Sequence, residues 1–484
     1  MTEEERRSAE KLTEILAIPA TRIGNAPAQV GRDWGTHALS WARAIQDLIR
    51  SRPIPAVRSW AFTWAELAII FVWTLVITSA YLDLDPMVVP IGGEYLSAIQ
   101  SHHLWTRATE CGWCALWNGN MRGGVPAFVD VYGAMLHPLV ILTTLGWGDL
   151  NGAKLALVGA FLMGGLAQWW LAYALGLGRI ARVWSAAMAV AAGHLSGRME
   201  IGVFSVVLST AACSLVLPPL IILNRTGSRR SAVLLGVTLG LAAVAGQGYM
   251  QIGLLFGLLG ALILMPRDRE SRRLLAKRYA LAAGLAFLLA APFLVPFLHF
   301  LPQFGKDIDL EFRSVQPFAY VPLNLVIDNF EFYRSETLQK LPYPYLYVNF
   351  VGWIPVLLAI WGLGARHNDE DRRVRYFLVI FAILAFYFAS AGPLIWLAHT
   401  IPAQRFVEQL ASIRYPSLVA GLAVPAILAL AARGLDRLLR RDWLHFRLSM
   451  VTAEAASPPL SLSARWLLVL PLVLALLAAR SFST

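Results

Sequence analysis

The stretch from residue 83 to residue 130 sets carboxylates among glycines, prolines and aromatics. Asp83 and Asp85 lie in YLDLDP, Glu94 in PIGGEYLSAIQSHHLW and Asp130 in WNGNMRGGVPAFVDVYGAMLHPL. A positioned carboxylate can take the proton of a hydroxyl that is otherwise a poor nucleophile. Cations that could neutralise a phosphate are also present. They are Arg122 and the pair His102 and His103 in the same stretch, Arg198 in GHLSGRMEIG, and Arg414 in SIRYPS.

Each of these residues also has a plain structural reading. Asp83 and Asp85 can be acids that meet water at a helix end. Asp130 can orient a substrate or a metal, or it can cap a turn and pair with Arg122. His102 and His103 can bind phosphate or metal, but we read them as a solvated pair near the headgroups. His137, before a proline, reads as the first residue of a helix. Arg198 can hold a phosphate or pair with Glu200, and Arg414 can do so or snorkel as an anchor. Cys111 and Cys114, in CGWC, allow a disulfide, half a metal site or two free thiols. We read them as structural or redox-labile thiols, because Ala115 stands where a c-type haem needs histidine.

The elements that must hold these groups are apolar. Of 484 residues, 57% are hydrophobic and 15% charged, against about 25% charged in a soluble domain. Mean hydropathy is +0.58. Apolar runs recur near the length of about 20 residues that a bilayer-spanning helix needs. The fold class is therefore all-α, a polytopic membrane protein. We expect 11 spans: 59–82, 152–176, 180–196, 201–223, 231–246, 248–265, 278–300, 346–364, 375–392, 415–432 and 464–480.

Charge supports that order. The run 231–265 is flanked by arginines on both sides, so it crosses twice and turns near GQGY at 246–249. With the N-terminus inside, the segments placed in the cytoplasm hold 30 of the 41 Lys and Arg residues. The net charge of +11 is then a topology signal rather than a nucleic-acid signal. Residues 1–58 form a cytoplasmic segment, in which 34–50 has one apolar face and reads as an interfacial helix. The core runs from 59 to 432 and includes an outer loop at 83–151. Residues 433–463 form a cytoplasmic linker, and 464–484 carry the last span. Within the outer loop, 137–150 is too short to span and reads as a re-entrant or surface-lying helix. Glu66, inside the first span, reads as a headgroup-level acid.

The outer loop, with its acids and its closing WNGNMRGGVPAFVDVYGAMLHPL, resembles the GT-C superfamily of membrane glycosyltransferases, in particular the bacterial YfhO-like branch. SGRMEIG, GLAAVAGQGYMQ, LLAAPFLVPFLHFLPQ and SIRYPSLVAGLAVPAILALAARGLDRL resemble further pieces of that pattern in the same order. The likeness covers about residues 59–440. It departs from the pattern at Glu94, where aspartate is usual, and at Val203, where histidine is frequent.

The resemblance implies transfer of a sugar from a polyprenyl-phosphate donor to a lipid, glycan or protein acceptor. The reaction would occur on the outer face of the bacterial inner membrane. Glu94 falls nearest the family's catalytic acid, with Asp130 and Asp85 behind it. Arg198, Arg414, Arg122 and His102 are the candidates for the donor phosphate. No metal site and no cofactor is assigned, and a divalent cation is left open. The aromatics of 312–353, including Tyr343, Tyr345 and Tyr347, could stack on sugar rings, although an interfacial belt explains most of them. Partners are membrane lipids, the donor and the acceptor, with other membrane proteins left open. Two alternatives stand beside this reading: a flippase for lipid-linked sugar, and a catalytically degenerate subunit of a membrane complex. No P-loop, GxSxG, HExxH or EF-hand pattern occurs.

Overall fold

A computed structural model describes residues 56–440, apart from 120–123, 130–132, 247, 304–307, 311, 313–314, 336–337, 339–340, 342, 365–368 and 402. The expected helix at 34–50 and the expected span at 464–480 lie outside the described residues, as do Asp130 and Arg122. Contacts divide the chain after Thr63. Residues 56–63 give only the first turns of the first helix, and the fold below is that of Trp64 onward.

The described residues are all-α apart from one two-residue strand pair, Trp117–Asn118 with Val125–Pro126. Helix α1 is Ala56–Ile77 and α2 is Tyr95–Cys111. Helix α3, Pro138–Ala174, breaks at Gly148, whose φ of 75° and ψ of −165° are not helical. A Cβ on Gly152 would meet the Thr143 carbonyl, and one on Gly159 would meet Leu139. The arm 138–147 therefore folds back antiparallel along the long arm. His137 starts it as expected, accepting the Leu139 N–H at 3.2 Å with Pro138 next.

Next come α4 Arg179–Ala191, α5 Phe204–Ser214, α6 Leu217–Thr226, α7 Arg229–Ala243 and α8 Gly248–Gly257. They are followed by α9 Arg269–Phe300, α10 Trp353–Leu363, α11 Asp369–Ala389, α12 Gly392–Thr400, α13 Gln404–Ala411 and α14 Ala423–Arg440.

Among the described residues, five helices are long and apolar enough to cross a membrane. A sixth follows if α11 and α12, bent by 63°, form one span. The chain is thus multi-pass, but length does not yield the 11 spans expected. The expected spans at 180–196, 231–246 and 346–364 appear as helices of 13, 15 and 11 residues. Each is shorter than the roughly 20 residues a bilayer core requires. At the other end of the core, helix α14 continues to Arg440 where a linker was expected from 433. Arg433 bonds Asp371, and the Asp436 carboxylate accepts the Gly178 N–H at 2.9 Å.

Two packing facts order the helices. Gly236 of α7 faces Ala282 and Leu285 of α9, and Gly240 faces Ala286 and Leu289. Both indices rise together, so α7 and α9 run parallel and the chain between them must return. The chain turns at Gly246, where φ is 84°, before that return.

The second fact is the sorting of loops to two ends. At one end Arg225 bonds the Ala174 carbonyl, Arg278 the Gly227 carbonyl and Arg373 the Met265 carbonyl. At the other end Gly193 bonds Phe350, Asp309 bonds Ala411, and Glu94 bonds Ile201 through the backbone. We call these the basic end and the site end. The core between them is closest around Phe204–Thr226 and Pro416–Leu439, in each of which nearly all residues of the most apolar stretch are buried.

Candidate functional site

Glu94 precedes α2 without capping it, so its carboxylate is not spent on the helix it begins. Its backbone N–H is donated to the Ile201 carbonyl at 3.0 Å. The approach is close because both turns carry glycine. A Cβ on Gly92 would lie 2.5 Å from the Ile201 carbonyl carbon, and one on Gly202 would lie 2.7 Å from the Tyr95 Cβ. Their φ values of +140° and +79° are open to glycine and strained for other residues. The turn that holds Glu94 and the turn that holds Glu200 are thus one packed unit.

Arg198 ties this unit to a third segment. Its guanidinium is 0% exposed. It donates to the Tyr345 carbonyl and, at 3.0 Å, to the Asn349 side-chain oxygen. Burial pulls it down to about 10, still protonated at neutral pH. The expected pairing with Glu200 does not form, and no face of Arg198 opens to a phosphate. Its role is to fix the chain at 345–349.

That chain brings Tyr345 into electrostatic reach of Glu94, as another segment does Tyr415. Tyr343 adopts a left-handed φ of 57° before Pro344. Its ring lies 5.8 Å from that of Tyr345 and 6.2 Å, edge on, from that of Tyr415. The Arg414 guanidinium lies over Tyr415 at 5.1 Å. Burial, then the neighbouring Glu94, Tyr343, Tyr415 and Glu200, push the Tyr345 phenol up to about 12. Burial also raises the Glu94 carboxyl above the ordinary value of 4.5. Two carboxylates, three phenols and a half-buried guanidinium therefore meet from four distant segments.

A cavity of about 430 Å³ adjoins this cluster through Glu200. Residues 88–91 form its apolar wall, and Tyr81, Asp83 and Lys154 also line it. Lys154 is 1% exposed and donates to the carbonyls of Asp83 and Asp85. The carboxylates of those two acids build turns: Asp83 accepts the Asp85 N–H at 3.0 Å and Asp85 accepts the Met87 N–H at 2.9 Å. Asp85 is thereby a turn residue, and among the described carboxylates of this loop Glu94 is the one coupled to the tyrosines of the cluster.

The histidine pair is split by the helix. His102 is 0% exposed, with Nδ1 2.6 Å from Thr144 Oγ1. Burial lowers it to about 4, so it is neutral at physiological pH and is no cation for a phosphate. His103 is exposed and bonds Asp149 at 2.9 Å. The expected solvated pair is wrong for His102 because α2 turns successive residues by about 100°. One faces the folded-back arm and the other faces water.

Cys111 and Cys114 are joined as a disulfide. Among the described residues, no three His, Cys, Asp or Glu side chains converge where a metal could sit. Asp130 and Arg122 lie outside the described residues.

Sequence reasoning missed Lys154, Asn349 and Tyr415. Lys154 had a signal, since a lysine at the edge of an apolar run needs buried acceptors. Asn349 and Tyr415 had none, because their partners lie far away in the chain. No protein-family model and no curated protein matches this chain.

Proposed function

We propose that this chain is a GT-C-type membrane glycosyltransferase. It moves a sugar from a polyprenyl-phosphate donor to an acceptor of the cell envelope. In this reading the chain has eleven spans in a bacterial inner membrane, the N-terminus and the basic end are cytoplasmic, and the site end is extracytoplasmic. The clustering of arginines at one end favours that orientation. A disulfide at the other end fits an oxidising compartment.

One observation carries the reading: Glu94, raised by burial, is electrostatically coupled to Tyr345 and Tyr415, and Arg414 lies over the Tyr415 ring. A carboxylate with a raised pKa is a better base near neutral pH than an ordinary one. Glu94 takes the acceptor hydroxyl proton as that oxygen attacks the anomeric carbon. The bond to the lipid phosphate breaks, and Arg414 offsets the charge left on it. The tyrosines supply flat apolar faces and phenol hydroxyls for the sugar ring. Arg198 acts through Tyr345 as a positioning residue.

The test uses purified protein, radiolabelled polyprenyl-phosphate sugars and a membrane extract as acceptor source. Loss of a general base costs on the order of 10²–10⁴-fold, so Glu94→Gln should lose that much transfer. Asp130→Asn tests the second acid in the same assay. Equal transfer by wild type and both variants removes the site assignment. No transfer by any of them removes the enzyme.

A further inference from the structure

The cavity beside Glu200 has a chemistry of its own. We infer that it is the acceptor pocket, and that it takes a membrane amphiphile whose head bears hydroxyls or an amine and no negative charge. The word acceptor rests on the glycosyltransferase reading, whereas occupancy by such an amphiphile rests on the cavity alone.

Its volume of about 430 Å³ falls within the range of about 300–1,000 Å³ that small-molecule sites occupy. The lining is mixed in polarity. Ala80, Met199 and residues 88–91 are its apolar lining, and Tyr81, Asp83 and Glu200 its polar lining. The cation present, Lys154, is turned onto two backbone carbonyls. What remains for a ligand is acceptor-rich, which suits hydroxyl or ammonium donors and repels an anion.

The cavity also sits where a lipid can reach it. Ala80 and Tyr81 follow directly on α1, a helix long and apolar enough to span. Val88, Val89 and Ile91 on the covering segment are themselves exposed, Ile91 by 91%. A soluble glycan gains nothing from such a wall, but an acyl or alkyl chain does. Glu200 belongs to the same packed unit as Glu94, so a head bound at Glu200 lies beside the candidate base.

The test is photolabelling of the full-length protein in phosphatidylcholine nanodiscs. The probe is an octyl hexoside with a diazirine on its alkyl chain. Label should map to 80–91 and 199–200. Unlabelled octyl hexoside and its amino-sugar analogue should compete, and free hexose should not. An octyl hexuronide should need a concentration on the order of tenfold higher, the effect of a single unfavourable charge contact. Val89→Trp should remove the label from both segments, and Glu200→Gln should narrow the discrimination against the hexuronide.

Label spread evenly over the lipid-facing surface overturns the pocket, as does competition by free hexose equal to that of the glycoside. Label unchanged in both variants overturns it as well. A transfer assay in the same nanodiscs separates the two claims. Labelling without transfer keeps the pocket and sinks the transferase; transfer without labelling does the reverse.

Discussion

The backbone N–H of Glu94 is bonded to the carbonyl of Ile201 at 3.0 Å, which locks the loop after α1 to the turn after α4. Gly92 makes the contact sterically possible, with no space for a Cβ against Ile201 and Gly202. Gly92→Ala should therefore cost about 1–3 kcal/mol of strain or force the two turns apart. Thermal unfolding of the purified variant should show a lower midpoint, and transfer should fall with it. An unchanged midpoint together with unchanged transfer would show that the two turns are not coupled.

The carboxyl of Glu94 is raised by burial, and the sign of its effect on activity follows. A base works only when deprotonated, so transfer should rise with pH through a value above 4.5. In that window the folded state binds more protons than the unfolded one. The same group therefore lowers folding stability as pH climbs from the ordinary value to the raised one. A rate profile for wild type should show this limb, and Glu94→Gln should lack it. A limb of the same shape in the variant would assign it to another group.

His102 and His137 act in the opposite direction. Burial lowers each to about 4 from 6.5. Between those values the unfolded chain binds more protons, so stability is present above 6.5 and is lost as pH falls toward 4. The slope is bounded at roughly 1.4 kcal/mol per pH unit for each histidine. Melting curves at pH 7.5, 6 and 5 should step downward, and His102→Gln should flatten the descent. A variant as acid-sensitive as wild type would exclude His102 as a source.

Much of this architecture is legible from charge and apolar length alone. Arg225, Arg278 and Arg373 mark loops that gather at one end, since arginine is costly within a bilayer. Glu94 is legible as the acid after the first span, and His137 as a helix start before proline. What is not legible depends on partners distant in the chain. Arg198 looks like a surface charge beside Glu200, yet its acceptors are Tyr345 and Asn349. His102 and His103 look alike until α2 sets one against Thr144. The break at Gly148 agrees with the separate short helix read at 137–150, whereas the shortness of Arg179–Ala191, Arg229–Ala243 and Trp353–Leu363 is not legible, because an apolar run does not show where its helix ends.

The pairing of Cys111 with Cys114 makes a simple thiol count decisive. Purified protein should react with no maleimide while folded, because Cys213 is buried. Reductant should release two reactive thiols, and denaturation should reveal the third. If the site end is extracytoplasmic, the same pattern should hold in intact cells treated with a membrane-impermeant reagent. Two reactive thiols before reduction would remove both the bond and its support for the orientation.

Glu66 tests whether a buried acid in a span must be functional. An ionisable residue there is a functional candidate by default. Yet this carboxylate, 4% exposed, is consumed by neighbours. One oxygen takes Arg182 at 2.9 Å and Arg179 at 3.5 Å, and the other takes the Trp169 indole N–H at 2.8 Å. Glu66→Gln leaves Arg182 buried without its charge partner, which costs about 3–5 kcal/mol. Replacing both Glu66 and Arg182 with methionine removes the orphaned charge and should recover much of that loss. Transfer per folded molecule should stay at the wild-type level in both variants, because the pair belongs to the basic end. A fall in transfer with the melting midpoint unchanged would place chemistry at Glu66, contrary to this structural role.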